Sequence, residues 1–302
     1  MTKLVFIGGS GRNGSTLLGR ILGCLPGTVC IGEAPAFLLD PRRPRSKHPC
    51  SCGRMVNHCS FWSGLASTVT DADRHRVGRY LRFRYILHWL RRDTSAAFQR
   101  CRSALEHIYR YTLTTAKARS SIDPKRDAIP AEPVIIDTTK HPAYAAAASS
   151  LASVDFRFIH LIRDPRGVVE SWARPKAYIS AFSRHRTTLW WIAFHWGAER
   201  LARRVPTLTV RYEDFVKTPR ATICSILNFI DEPSDGVATL FQGDRIMLGR
   251  DHLLGGNPDK FTAGAIRIRQ PAATRMRHPF VSLTTFPWLL RYGYPFFKPD
   301  NP

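Results

Sequence analysis

The feature that most constrains this chain is a glycine-rich segment near its start, residues 9–18, with the sequence Gly-Ser-Gly-Arg-Asn-Gly-Ser-Thr-Leu-Leu. It follows a short apolar run, Leu4 to Ile7, and leads into a helical pattern. A strand, a glycine-rich turn and a helix start direct backbone N–H groups and the positive end of a helix dipole at one point. The segment therefore predicts a site for a phosphate-bearing ligand in an α/β fold.

The same segment argues against a nucleoside triphosphate. Gly9 and Gly14 have the spacing of the G-x-x-x-x-G-K-[ST] nucleotide loop, and Thr16 occupies its hydroxyl position. Ser15 stands where that motif has lysine. Because that lysine contacts the β- and γ-phosphates, a triphosphate bound here would keep much of its charge unneutralised. Arg12, inside the loop, suits a smaller anionic group.

Short apolar or β-branched runs recur along the chain, each followed by a turn signal and a helical pattern. They are Leu4 to Ile7, Thr28 to Ile31, Val134 to Ile136, Phe156 to Ile162 and Thr207 to Val210. Strands that alternate with helices predict a three-layer, P-loop-like α/β fold, with a central parallel sheet and helices on both faces. Ligands of such sheets bind beyond the carboxyl ends of the strands.

The length of 302 residues fits one domain, residues 1–302, and we interpret residues 40–132 as a mainly helical insertion because they break the alternation. Further helices are predicted over Thr187 to Val205 and Phe215 to Ile230. Residues 79–92 mix aromatic and arginine side chains. They could form a lid helix over the cleft, lie on an anionic membrane or hold a lipid-linked acceptor.

A second anion site is predicted where the fourth strand ends. Arg163-Asp164-Pro165 closes that strand and opens a helix, with Asp164 as N-cap and Pro165 at the first helical position. Ser171 follows Arg163 by eight residues, so an arginine and a hydroxyl can hold one phosphate between them. Alone, the segment is better interpreted as a capped helix with a solvated serine. Its pairing with the first loop favours the functional interpretation.

The charge balance indicates an anionic ligand or surface. Lys and Arg number 45 against 23 Asp and Glu, for a net charge of +22, which attracts nucleotides, acidic acceptors, nucleic acid or an anionic membrane. The sequence has none of the motifs of nucleic-acid readers, so we expect no nucleic-acid partner. We expect no signal peptide or membrane span, and the seven cysteines, scattered except for Cys50, Cys52 and Cys59, indicate a reducing compartment, so we expect a cytoplasmic protein.

Two anion sites on one sheet, a phosphate loop without lysine and a strand-ending Tyr212-Glu213-Asp214 together resemble the PAPS-dependent sulfotransferase family. PAPS is 3′-phosphoadenosine 5′-phosphosulfate, and the resemblance covers most of the chain. It implies transfer of the sulfuryl group of PAPS to an acceptor hydroxyl without a metal ion. Asn13 stands where the family usually has serine. The residues implied to bind the nucleotide are Gly11, Arg12, Asn13, Gly14, Ser15, Thr16, Arg163, Ser171, Tyr212, Asn257 and Lys260.

The resemblance also implies a base. Glu33 ends the second strand, which we expect beside the first, and Gly32-Glu33 resembles the Gly-Glu pair that is the base in tyrosylprotein-type and several bacterial sulfotransferases. A carboxylate there can remove the proton of the acceptor hydroxyl. The competing interpretation is a helix-capping or arginine-pairing glutamate. His141 and His160 are weaker base candidates, and His160 is expected in the core.

Lys140 follows the third strand and is the candidate for stabilising the leaving 5′-phosphate together with Arg12. Its competing interpretation is a solvent-exposed loop lysine. The acceptor stays open among carbohydrate, lipid-linked sugar, phenol and peptide tyrosine, because the insertion that shapes its pocket carries no readable motif.

Two other functions and a possible metal site also fit parts of the sequence. Asp137, at the end of an apolar strand, resembles a Mg²⁺ ligand of P-loop enzymes, so a P-loop kinase or nucleotide hydrolase is the second function, and a non-catalytic nucleotide-binding protein is the third. Separately, a small cluster of cysteines and histidines could bind a structural zinc ion or contain free cysteines. Its members are His48, Cys50, Cys52, His58 and Cys59.

Overall fold

The computed structural model describes residues 1–43, 49–83, 95–120, 133–175, 180–270 and 278–296. Five parallel strands form the central sheet, and all five predicted strands are confirmed. They are β1 (Thr2–Gly8), β2 (Thr28–Gly32), β3 (Val134–Lys140), β4 (Val154–Ile162) and β5 (Thr207–Arg211). Their order across the sheet is β2-β3-β1-β4-β5.

The prediction that β2 lies beside β1 is wrong, because β3 pairs with both strands. Ile135 lies opposite Leu4 on one side and opposite Val29 on the other. Ile135 and Ile136 are fully buried, as expected of an inner strand that is covered on both faces. The carboxyl end of β3, with Lys140, therefore lies between the end of β2 and the glycine loop after β1.

Helices cover both faces of the sheet, as predicted. Leu4 and Phe6 face one apolar core, which includes the helices of the insertion, whereas Val5 and Ile7 face a second core on the opposite side. The helices before β4 are α1 (Ser15–Leu22), α2 (Ala34–Leu39), α3 (Ser63–Thr68), α4 (Asp71–Phe83), α5 (Ala96–Ser120) and α6 (Pro142–Ala148). Those after β4 are α7 (Pro165–Ala173), α8 (Arg184–Ala202), α9 (Tyr212–Lys217), α10 (Pro219–Phe229), α11 (Val237–Leu240), α12 (Pro279–Thr284) and α13 (Phe286–Arg291).

Two further features differ from the sequence-based expectations. The single helix predicted over Phe215 to Ile230 is two helices, α9 and α10, which meet at Thr218. Pro219 lacks an N–H and disfavours helical backbone in the residue before it, so the helix restarts there. The sequence analysis also missed a small antiparallel sheet, whose strands are β6 (Phe241–Gln242), β7 (Arg245–Leu248) and β8 (Gly264–Arg267).

The insertion contributes α3, α4 and α5 together with a short 3₁₀ turn, Val56–His58. Most of the basic aromatic segment, residues 84–92, lies outside the described residues. Among the helices that the structure describes, none is both long enough and apolar enough to cross a membrane.

Candidate active site

A cavity of about 1490 Å³ opens at the carboxyl ends of the strands. This is where ligands of parallel α/β sheets bind. The structure brings most of the predicted site residues together on its wall. They are Gly11, Arg12, Gly14, Ser15, Thr16, Glu33, Lys140, Arg163, Ser171, Tyr212 and Asn257.

The glycine loop between β1 and α1 adopts backbone conformations that few side chains tolerate. Gly14, the N-cap of α1, has a φ of 92°, and a Cβ added there would lie 2.4 Å from the ring of Tyr212. Arg12 itself has a φ of 65°. Non-glycine residues in this left-handed region are uncommon and concentrate at functional sites. The glycine loop thus lines the cavity with a backbone that restricts which side chains it can carry.

Arg12 is fixed within that loop by two contacts. One of its guanidinium nitrogens, Nη1, donates to Oδ1 of Asn257 over 3.3 Å, and the group lies 4.9 Å from the centre of the Trp172 ring. Asn257 in turn donates its backbone N–H to the hydroxyl of Thr16. The C-terminal loop that carries Asn257 is therefore joined directly to the start of α1.

Asn13 and Lys260 are not among the residues that line the cavity. The buried Asn13 side chain donates to the carbonyl of Leu161 and accepts the N–H of Ser15, so it fastens the loop to β4. Lys260 is also buried, and its ammonium donates to the carbonyl of Pro49 over 2.7 Å. Both side chains hold the backbone of the site in place.

Arg163 and Ser171 lie at the start and the second turn of α7 and face the same cavity. Asp164 caps this helix as predicted, by accepting the N–H of Arg166. Arg163 donates to the carbonyl of Arg12 over 2.8 Å and lies 4.6 Å from the centre of the Tyr212 ring. Arg163 thereby ties the segment before α7 to the glycine loop.

Glu33 and Lys140 form an ion pair of 2.5 Å between Oε1 and Nζ. Arg43 contacts the other carboxylate oxygen of Glu33 at 2.8 Å. Burial alone would raise the pKa of Glu33, but the charges of Lys140 and Arg43 outweigh it and lower the pKa to about 2. Glu33 is thus ionised at every working pH. Lys140 has a φ of 69°, another left-handed backbone in this cavity.

These contacts address the competing interpretations of both residues. Glu33 occupies the N-cap position of α2 without a side-chain capping bond, and it does pair with an arginine, Arg43. Lys140 is largely buried, with 11% of its side chain exposed, and is not a solvated loop lysine. The sequence analysis did not single out Arg43, because nothing in the Pro- and Arg-rich segment around it fixes where it lies.

The remaining titratable candidates have other surroundings. Both carboxylate oxygens of Asp137 are occupied, by the hydroxyl of Tyr109 at 2.8 Å and the N–H of Thr139 at 2.7 Å, and Asp137 does not line the cavity. Burial raises the pKa of Asp137 to about 6. His160 is buried against His195 in the core, as expected.

His141 lies on the cavity wall and caps α6 through its ring nitrogen Nδ1. Burial and the neighbouring Arg42 lower the pKa of His141 to about 4, so its ring is neutral at pH 7. Its ring packs edge-on against Phe194, with 5.0 Å between the centres. Phe194 stacks on Trp190, and both line the cavity, as does Arg42. This aromatic and basic wall was not anticipated from the sequence.

The sheet order, the glycine loop after the central strand and the cavity at the strand ends define a P-loop-like α/β protein. The model of the sulfotransferase family matches residues 5–236 of the chain. The chain therefore belongs to the sulfotransferase family, whose members are transferases of sulfuryl groups, and the predicted class is confirmed.

Two solved structures share the fold. The sulfotransferase domain of the olefin synthase from Synechococcus PCC 7002 is 18% identical with a TM-score of 0.51, and the alignment covers 97% of this chain and 95% of that one. The sulfotransferase domain from the curacin biosynthetic pathway is 16% identical with a TM-score of 0.51, and the alignment covers 98% and 99%. No curated protein matches the chain.

Proposed function

We propose that this sulfotransferase takes the sulfuryl group from PAPS and passes it to an acceptor hydroxyl, with Glu33 as the general base. The observation that carries the proposal is the Glu33–Lys140 ion pair. It places a carboxylate and an ammonium on the wall of the cavity that also holds the glycine loop and the Arg163–Ser171 site. These are the groups that a sulfuryl transfer without a metal ion requires.

Two anion sites support a nucleotide with phosphates at both ends of its ribose. The N–H groups at the start of α1 and the guanidinium of Arg12 would hold the 5′-phosphosulfate. Arg163 and Ser171 would hold the 3′-phosphate, and Tyr212 and Asn257 would complete the nucleotide contacts. A sulfuryl group carries less negative charge than a γ-phosphoryl group, so these cations can suffice without Mg²⁺.

When bound, PAPS would supply an activated sulfuryl group whose leaving group is a phosphate oxygen. Glu33 takes the proton from the acceptor hydroxyl as the new S–O bond forms. Lys140 and Arg12 stabilise the negative charge that develops on the 5′-phosphate as the old S–O bond breaks. If Lys140 turns from Glu33 to that phosphate, the carboxylate loses one cationic partner and becomes a stronger base. Arg43 then keeps Glu33 oriented.

The acceptor side of the cavity combines aromatic rings with arginine. Trp190 and Phe194 offer flat apolar surfaces, and the neutral ring of His141 lies beside Phe194. Arg42, which is paired with Asp40, adds a polar group. Such a wall suits a hydroxyl on a sugar, phenol or lipid-linked framework. None of the seven cysteines, all of which the structure describes, is in a disulfide, which fits action in the reducing cytoplasm.

The proposal is tested by incubating the protein with sulfur-35-labelled PAPS and fractionated extract, followed by separation of labelled products. We expect label in an acceptor fraction, dependent on the protein and unaffected by omission of magnesium. Labelled inorganic sulfate alone, at the rate of a blank reaction, would contradict the proposal.

Gly14→Ala is expected to weaken nucleotide binding. The added Cβ would meet the Tyr212 ring at 2.4 Å, so the ring or the loop must move. Gly264 is a matched control, because its φ is also 92° but nothing lies within 4 Å of an added Cβ. Both variants should lose about 1–2 kcal/mol of folding free energy from the left-handed backbone. Only Gly14→Ala should weaken binding of adenosine 3′,5′-bisphosphate, by about tenfold or more; equal effects of the two variants would count against the predicted loop.

Asp137→Asn is expected to stabilise the protein and leave transfer within about threefold of wild type. The raised pKa of Asp137, about 6 against 3.8 for an ordinary aspartate, means that folding stability is lost as pH rises between these values. The amide oxygen can still accept the N–H of Thr139, and the amide NH₂ can donate to the hydroxyl oxygen of Tyr109, so the gain is about 1–3 kcal/mol at pH 7.5 and is small at pH 4. Urea unfolding at both pH values measures this gain in folding free energy. Asp155→Asn, at a half-buried position of β4 where the carboxylate pairs with Arg157, is the control and should show no such gain. Loss of activity in Asp137→Asn would instead favour the Mg²⁺-dependent alternative.

A further inference from the structure

Four potential metal ligands converge beside the cavity. The sulfur atoms of Cys50, Cys52 and Cys59 and a ring nitrogen of His252 all lie within 4.8 Å of one another. Cys50 and Cys59 are buried, and Cys52 and His252 are half-buried. The histidine is not one of those expected: His58 is exposed and outside this cluster, and His48 lies outside the described residues. His252 comes from the far end of the chain, 193 residues after Cys59.

The spacing of these atoms fits a tetrahedral zinc ion. Zn–S bonds of about 2.3 Å place two sulfurs about 3.8 Å apart, and a Zn–N bond of about 2.0 Å places nitrogen and sulfur about 3.5 Å apart. The observed separations are 3.7 Å between the sulfurs of Cys52 and Cys59, and 3.2 and 3.8 Å from Nδ1 of His252 to Cys59 and Cys50. Bonded disulfide sulfurs lie about 2.05 Å apart, and these three cysteines are free.

Hydrogen bonds and ring contacts hold the residues around the cluster in place. The N–H of Cys50 donates to the carbonyl of Arg54, and Gly53 donates to Cys50, which makes a tight turn that presents two thiols. The His252 ring stacks on Phe61, with 5.3 Å between the centres. The indole of Trp62 donates to the His252 carbonyl. Such neighbouring contacts orient the ligands of structural metal sites.

We propose that Cys50, Cys52, Cys59 and His252 bind one structural zinc ion. Three thiolates and one imidazole complete a tetrahedral shell and leave no open position, so the ion has no place for substrate. Three thiolates exceed the charge of the ion by one, and the ammonium of Lys260, bonded to the carbonyl of Pro49 next to Cys50, offsets that charge.

The ion joins the start of the insertion to the loop that reaches the cavity. Two residues after His252, the carbonyl of Leu254 accepts the N–H of Glu33 over 2.7 Å. Gly255 follows against the Glu33 side chain, and Asn257 contacts Arg12. Zinc therefore holds in position the loop that packs against the proposed base and the nucleotide site. This consequence rests on the proposed function, whereas the zinc site itself does not.

Zinc content of the purified full-length chain tests the site directly. After growth with added zinc and gel filtration, mass spectrometry of the metal should give about one zinc per chain. Cobalt supplied in place of zinc should give the visible absorption of a tetrahedral thiolate complex. A wild-type chain that holds less than about a tenth of an equivalent and takes up neither metal overturns the proposal.

Variants locate the ion. Cys59→Ser and His252→Ala should lower the zinc content or weaken affinity by about 100-fold or more against a chelating dye, while His252→Cys should retain the ion with four thiolates. His58→Ala and Cys224→Ser are controls and should hold zinc like wild type. Unchanged zinc in Cys59→Ser would place the ion elsewhere and overturn the assignment. If the ligand variants fail to fold, the zinc content and the cobalt spectrum of the wild-type chain still test whether the site binds a metal ion.

The proposed role of zinc in positioning the loop after His252 is tested by a separate measurement. Removal of the ion should weaken binding of adenosine 3′,5′-bisphosphate by about tenfold, and zinc alone should restore it. A chain that binds zinc but binds the nucleotide equally well without it would overturn the positioning role. If wild type binds zinc and no nucleotide at all, the proposed function fails while the zinc site stands.

Discussion

Glu33→Gln should abolish sulfuryl transfer while the protein still binds the donor nucleotide. The amide has the size of the carboxylate but cannot take the proton of the acceptor hydroxyl, so we expect kcat to fall by about 10²–10⁴-fold. Affinity for adenosine 3′,5′-bisphosphate should stay equal to wild type or increase, because Lys140 loses its anionic partner. Transfer assays with labelled PAPS and calorimetry with the bisphosphate measure the two effects.

The control for this variant is Glu232→Gln. Glu232 forms a Lys–Glu pair with Lys3 that has the same 2.5 Å separation as the pair of Glu33 and Lys140, but it lies outside the cavity. Glu232→Gln should leave both transfer and binding within about twofold of wild type. If Glu33→Gln retained wild-type turnover, Glu33 would be a structural partner of Arg43 and not the base.

Lys140→Met should produce the second large loss. The methionine fills a similar volume but offers no charge to the leaving phosphate, so we expect kcat to fall by about 10²–10³-fold. The KM for the donor should change far less, since Arg12, Arg163 and the loop N–H groups still hold it. Rapid-quench measurement of a single turnover separates the chemical step from binding.

Lys3→Met is the matched control for Lys140→Met, because it breaks the corresponding pair at the surface. It should leave the single-turnover rate unchanged. A Lys140→Met variant with a raised KM and normal kcat would show that the lysine binds the donor in the ground state and does not stabilise the leaving group.

Much of the site could be predicted because parallel strands end at one edge of a sheet. Arg12, Glu33, Lys140 and Arg163 all lie at or just after strand ends, so finding the strands was enough to bring these side chains together. The capping of the helix by Asp164 could also be predicted, because the contact is local. Asp164 accepts the N–H of a residue only two positions further along the chain, so the rest of the fold need not be known.

The contacts that the sequence did not reveal are long-range. The position of β3 between β1 and β2 depends on which strands pair edge to edge. Five apolar runs alone do not specify that order. Arg43 reaches Glu33 from a segment without a regular pattern. His252 completes the cysteine cluster across 193 residues, so neither of the nearby histidines in the sequence indicated it. The strands of the second sheet have two to four residues, too short for a periodic signal.

In the proposed function, two separate anion sites hold a nucleotide phosphorylated at both the 3′ and 5′ positions without magnesium. Calorimetry in magnesium-free buffer tests this with three nucleotides: adenosine 3′,5′-bisphosphate, adenosine 5′-monophosphate and ATP. We predict that the bisphosphate binds at least about tenfold more tightly than the monophosphate, and that Arg163→Ala removes this difference. Absence of heat with the bisphosphate, together with ATP binding that appears only when magnesium is added, would contradict the account.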